Sequence, residues 1–143
     1  FNVPLIINDD VSIAKEIGAG VHIGQGDLAL KEARRQLGPE AIIGVSCINV
    51  EQAIQAQKDG ADYLGVGAVF PTSTKHDADY VSGTELRAIG NAVDIPVVAI
   101  GGITLENAPQ LAGTGIAGVA VVSALFAAES PRDAAQKFAQ LKY

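Results

Sequence analysis

Apolar residues in this chain arrive in short runs, and each run passes into polar residues at its C-terminal end. PLIIND (4–9), VHIGQGD (21–27), IIGVS (42–46), YLGVGAVFPTSTK (63–75), VVAIGG (97–102) and GVAVVS (118–123) all keep that order. Short near-continuous runs rich in Val and Ile are what strands buried on both faces require, and such strands belong to parallel sheets covered by helices. Between the runs lie amphipathic, Ala-rich segments at roughly 11–18, 28–37, 50–59, 84–93, 105–112 and 131–141, which are predicted as helices. The βα unit therefore repeats six times, and the polar groups just past each strand converge on one rim, where α/β folds do their chemistry.

Local signals support the helices. Asn49 precedes VEQAIQAQKDG with Gln52 three residues on, a capping-box pattern, and Gly60 supplies a left-handed stop. Ser130-Pro131 is a cap followed by proline at the first helical position. The one long connection, PTSTKHDADYVSG (71–83), is polar, and such a loop inside a compact repeat is usually functional or mobile. Tandem βα units either close into an eight-stranded barrel or lie as an open doubly wound sheet. Six strands cannot close the usual barrel, whose typical length is about 250 residues, so the fold class expected is an incomplete (β/α)8 barrel of about six βα units in one domain, 1–143.

Composition narrows the function. With 143 residues and 48% hydrophobic content, the chain is expected to be one soluble globular domain. A net charge of -6 without a Lys/Arg cluster argues against nucleic-acid backbones as partners. No apolar stretch approaches the roughly 20 residues that cross a bilayer, so no membrane partner and a cytoplasmic location are expected. The single Cys47 excludes an internal disulfide. The chain has no Met and opens on a strand-like run, so the natural domain is expected to begin before Phe1.

Several rim residues could carry chemistry. Asn8-Asp9 follows the first run and Asp27 the second; carboxylates at neighbouring strand ends suit Mg²⁺, although either one could instead cap a helix, a role that Asp10 fits better than Asp9. Thr72-Ser73-Thr74-Lys75 sets hydroxyls beside an ammonium, which matches an anion with several acceptor oxygens or an ordinary polar turn. Gly101-Gly102 and Ser123 close the last two strands, where barrels often bind phosphate; a tight strand-to-helix turn is the structural alternative. Ser46 could donate a hydrogen bond at the rim or cap the next helix, and no G-x-S-x-G elbow surrounds it. His22 reads as a satisfied core histidine, and His76 as solvated.

Taken in order, IIND, VHIGQGD, IIGVS, YLGVGAVFPTSTK, VVAIGGI and GVAVVSALF resemble the thiamine phosphate synthase family from its third strand to its C-terminus. Each segment is weak, but six in order and spacing are specific. The resemblance implies a transferase that joins hydroxymethylpyrimidine diphosphate to thiazole phosphate, giving thiamine phosphate and pyrophosphate. Pyrophosphate departs first, and the thiazole nitrogen captures the resulting pyrimidine methylene cation. It also implies Asp9 and Asp27 as Mg²⁺ ligands, with Asn8, Ser46 and Lys75 at the pyrimidine diphosphate, Ser46 and Lys75 being the catalytic pair. Thr72, Ser73, Thr74, Gly102, Val122 and Ser123 become the thiazole-phosphate cradle. A dissociative transfer asks for positioning and charge stabilisation rather than a nucleophile, so the absence of a triad is expected.

The chain also departs from the family. No Gln-x-Arg-x-Lys stretch, which the family's second strand brings to the diphosphate, is present; Gly26 replaces the usual Glu beside the metal aspartate; Cys47-Ile48 stands where a polar or histidine-containing pair is common; and Gly18-Ala19-Gly20 is one residue short. The 143 residues by themselves are therefore expected to turn over weakly or not at all. The competing readings are a thiazole tautomerase-like isomerase, which needs no metal–diphosphate site, and a non-catalytic phosphate-binding barrel segment.

Overall fold

The computed structural model of the chain describes residues 3–26, 29–71 and 80–143. Six strands, β1 (Ile6–Asn8), β2 (Gly20–Ile23), β3 (Ile43–Cys47), β4 (Tyr63–Val66), β5 (Val97–Ile100) and β6 (Gly118–Ala120), alternate with α1 (Val11–Ile17), α2 (Leu30–Leu37), α3 (Val50–Asp59) and α4 (Gly83–Ala92). A 3₁₀ turn, Ala108–Leu111, joins β5 to β6, and two helices follow, α5 (Ser123–Phe126) and α6 (Pro131–Ala139). All pairings are parallel and the strand order is β1-β2-β3-β4-β5-β6. A doubly wound sheet would reverse its order part-way; this one never does, so it curls in one sense as an incomplete (β/α)8 barrel.

Register divides the strand residues between two faces, because paired residues of parallel strands point the same way. Val21 and Ile43 lie in one row, Ile23, Val45, Leu64 and Val97 in the next, and Cys47, Val66 and Ala99 in a third. These side chains are buried beneath the helices, against Ala14, Ala33, Ala53, Leu86 and Ile89. Small alanines on the helices let them lie close to the branched strand residues, and each fully buried Leu, Ile or Val contributes roughly 1.5–3 kcal/mol. The opposite, inner face carries Ile6, Asn8, Gly20, His22, Gly44, Ser46, Tyr63, Gly65, Val98 and Gly118.

The predicted start and stop signals operate as read. Asn49 Oδ1 accepts from Gln52 N–H at 2.9 Å, while Gln52 Oε1 accepts from Ile48 N–H at 3.0 Å. Gly60 (φ 98°) ends α3 in the left-handed region, and Ser130 caps α6. Opposite the rim, Arg34 of α2 donates to the carbonyls of Gly38, Ala41 and Gly60 and pairs with Asp62, whose carboxylate also accepts from Ile43 N–H. One guanidinium thus ties together the entries to β3 and β4.

The predicted helix at 105–112 is not formed. Pro109 lacks an amide hydrogen, and the Thr104–Asn107 pair spends its side chains on a reciprocal turn, Thr104 N–H to Asn107 Oδ1 (2.8 Å) and Asn107 N–H to Thr104 Oγ1 (3.3 Å). A 3₁₀ turn is what remains.

Candidate active site

Because every strand runs the same way, the C-terminal ends of all six share one edge. At the end of β1, Asn8 Nδ2 donates to Asp9 Oδ2 at 2.7 Å, and Asp9 N–H donates to His22 O of the neighbouring strand at 2.8 Å. Asp9 has φ 64°, left-handed backbone that Asp tolerates better than most residues. Asp10, not Asp9, caps α1, its Oδ1 accepting from Ile13 N–H at 2.9 Å. The carboxylate of Asp9 is exposed at the rim. Asp27, the second carboxylate of the sequence reading, lies outside the described residues, as do Thr72, Ser73, Thr74, Lys75 and His76.

On the inner face the polar side chains are Asn8, His22, Ser46 and Tyr63, and three of them form a chain. His22 Nε2 lies 2.9 Å from Ser46 Oγ, and His22 Nδ1 lies 2.9 Å from Tyr63 Oη. The His22 and Tyr63 rings sit 5.4 Å apart, centroid to centroid. Ser46 is therefore not a helix cap; Asn49 takes that role. The loop after β2 reaches over β3, where Gln25 Nε2 donates to Ser46 O at 2.7 Å.

His22 was read from sequence as core. It is satisfied, as expected, but it is only half-buried and belongs to the inner face rather than to the packed helix side. A signal for it was present: glycines interrupt β3 and β4 at Gly44 and Gly65, and a Cβ at Gly65 would stand 2.7 Å from His22 Cε1. Tyr63 was missed for the same reason.

At the other end of the sheet, Val122 is exposed and Ser123 begins α5. Gly101 (φ 99°) and Gly102 (φ 65°) need glycine for conformation, and their open side is filled by backbone: a Cβ on Gly102 would meet Phe70 O at 2.6 Å. Val69 N–H and Phe70 N–H donate to Ile100 O and Gly101 O, each at 3.0 Å. The loop after β5 is thus seated on residues 68–71, from which the Thr72–Lys75 segment continues. Asn107 Nδ2 holds the loop through Gly102 O at 2.9 Å.

Cys47 ends β3 on the buried side, and desolvation raises its thiol to about 11. The thiolate is the reactive form, so at about pH 8 Cys47 is expected to react with iodoacetamide at least tenfold more slowly in the folded chain than in urea, where an ordinary pKa near 8.5 returns. Equal rates, followed by mass spectrometry, would exclude that burial.

The thiamine monophosphate synthase family profile matches residues 1–125. The chain belongs to the thiamine monophosphate synthase family. It is 54% identical over 137 residues to a thiamine-phosphate synthase of Methanobrevibacter smithii, covering 95% of this chain and 66% of that one. It is also 54% identical to that of Ruminiclostridium cellulolyticum, covering 99% and 68%. The solved thiamine phosphate pyrophosphorylase of Pyrococcus furiosus superposes with a TM-score of 0.88 at 41% identity, covering 97% of this chain and 67% of that one. The chain thus spans about two thirds of the length of the family members it matches. No helix among the described residues is long and apolar enough to cross a membrane.

Proposed function

We propose that this chain forms the greater part of a thiamine phosphate synthase barrel and supplies the rim that transfers hydroxymethylpyrimidine from its diphosphate to thiazole phosphate. The observation that carries the reading is family membership at 54% identity together with Asn8-Asp9 and Ser46 held on one edge of the sheet. In this reading Ser46 and Lys75 act on the pyrimidine diphosphate, Ser46 as a hydrogen-bond donor and Lys75 as a cation beside the departing pyrophosphate. Asn8 contacts the same substrate. Thr72, Ser73, Thr74, Gly102, Val122 and Ser123 hold the thiazole phosphate, through hydroxyls and through backbone amides of a loop already braced on residues 68–71.

The donors at the rim fit Mg²⁺. It is commonly held by one or two carboxylates completed by water and substrate phosphate, and among the described residues no cluster of three metal-ligating side chains offers a closed cage for another metal. Asp9 and Asp27 would hold it, and bound there it supplies positive charge to the leaving diphosphate. Asn8 orients the Asp9 carboxylate by its 2.7 Å hydrogen bond. The tautomerase reading leaves Asn8-Asp9 and Gln25-Gly26-Asp27 without a role.

Two further βα units, the first of the family's barrel, would cover the edges of β1 and β6, near which Leu5 (61% exposed) and Phe126 (83%) are exposed. Such a chain belongs in the cytoplasm with its small phosphorylated substrates. Joined to the N-terminal third of its relatives and given both substrates and Mg²⁺, the chain should yield thiamine phosphate and pyrophosphate in equal amounts, measured by chromatography and a phosphate-coupled assay. The 143 residues by themselves should turn over weakly or not at all. No product from the extended chain would overturn the assignment, and normal turnover by the short one would overturn the need for the added units.

A further inference from the structure

The chain Tyr63–His22–Ser46 crosses three strands diagonally. Tyr63 begins β4 and pairs in register with Gly44; His22 lies over Gly44 and Gly65; Ser46 stands next to the end of β3 at the rim. A neutral imidazole has one donor and one acceptor nitrogen, so whichever way the first bond of this chain points fixes the second. If Tyr63 donates to Nδ1, then Nε2–H donates to Ser46 Oγ, and the serine keeps its own proton for something else. If instead Nδ1–H donates to the phenol oxygen, Ser46 must spend its proton on Nε2.

We propose that Tyr63 is a positioning residue: its phenol donates to His22 Nδ1, sets the Nε2–H tautomer, and so leaves the Ser46 hydroxyl proton available as a donor at the rim. Three observations carry this. Among the described residues His22 Nδ1 is the hydrogen-bond partner of Tyr63 Oη, so the reverse polarity would strand a half-buried phenol proton. Burial pushes the Tyr63 phenol up, which keeps that proton on the oxygen at neutral pH. Gly44 and Gly65 leave the space that lets the two rings and Ser46 meet, and Gln25 fixes the Ser46 backbone through its carbonyl. The consequence for the reaction rests on the synthase reading, in which a donor at Ser46 faces a diphosphate that has only acceptors.

The tautomer can be read without turnover. The whole chain contains two histidines, so ¹⁵N-histidine labelling gives two imidazoles, which His76→Gln assigns. At about pH 8, above the ordinary histidine range, His22 is expected as the pure Nε2–H form. Ser46→Ala should leave that form in place, while Tyr63→Phe, which keeps the ring over Gly44, should convert it to a mixture of tautomers. A wild-type Nδ1–H form, or an unchanged spectrum in Tyr63→Phe, overturns the proposal. In the extended chain Tyr63→Phe should lower kcat about tenfold, with KM for the pyrimidine diphosphate changed less, and Tyr63→Phe/Ser46→Ala should be no worse than Ser46→Ala alone. Losses that multiply would place Tyr63's effect elsewhere and also overturn it. No turnover in the unmutated extended chain would instead defeat the synthase reading, with the tautomer measurement still deciding the role of Tyr63.

Discussion

Asp9→Ala, in the chain extended by the first third of its relatives, is expected to lower kcat/KM by roughly 10²–10³-fold and to raise the Mg²⁺ concentration needed for half-maximal rate. A metal clamp on a leaving diphosphate stabilises charge by several kcal/mol, and each 1.4 kcal/mol is about tenfold in rate. Stability should fall far less than activity, by about 1–2 kcal/mol, the cost of placing alanine in left-handed backbone at φ 64°. The Asp9 side chain is exposed, its amide bond to His22 O survives any substitution except proline, and it is Asp10 that caps α1. Asp9→Gly sharpens the contrast, because φ 64° suits glycine better than aspartate: folding free energy should hold or rise while turnover falls as far as in Asp9→Ala. Asp9→Asn keeps the shape and removes the charge, and should resemble Asp9→Ala in its Mg²⁺ requirement. Turnover within threefold of wild type in Asp9→Ala would remove this residue from the metal site and leave the Asn8-Asp9 pair as a turn.

The fold was legible because its signals are local. Runs such as IIGVS and VVAI needed no knowledge of partners to be strands, and Asn49, Gly60 and Ser130 mark helix ends by their own side chains or lack of one. The misses also have physical causes. The segment 105–112 has helical periodicity, but Pro109 and the Thr104–Asn107 turn decide its backbone, so hydrophobic pattern was the weaker term. The four residues of α5 are too short to show a period at all.

The site was legible only where it lies at strand ends. Asn8, Asp9 and Ser46 follow or finish apolar runs, and parallel order alone gathers them at one edge. His22 and Tyr63 lie inside runs, and there sequence cannot separate the inner face from the helix-covered face, because both read as apolar or small. Register separates them: His22 pairs with Gly44, and Gly44 with Tyr63, so all three fall on the inner row. For Gly101-Gly102 sequence left open a ligand loop or a tight turn. The side where a Cβ would stand is occupied by the backbone of Ala68 and Phe70, so the glycines seat one loop on another, a contact between distant segments that the sequence does not display.

Gly44→Ala tests that inner row directly. A Cβ at this position would overlap the Tyr63 ring and stand 2.5 Å from His22 Nδ1, closer than real contacts allow. Both neighbours are held, Tyr63 and His22 by each other and His22 by Ser46, so relief requires breaking the hydrogen-bonded chain or moving β3. Overpacking of this kind costs about 1–3 kcal/mol. The loss should appear as a lower urea midpoint with an unchanged slope. Gly83→Ala supplies the control. It sits at the start of α4 with open space around it, outside the left-handed region, so alanine there should stabilise by about 0.4–1 kcal/mol through the unfolded chain. If the ring is what resists the methyl group, trimming it should restore part of the loss: Gly44→Ala/Tyr63→Val should be less destabilised than the sum of the single changes, with a coupling of at least about 1 kcal/mol. Strict additivity would mean that β3 shifts freely beneath the rings, and the inner face would then be too soft to hold Ser46 in one orientation.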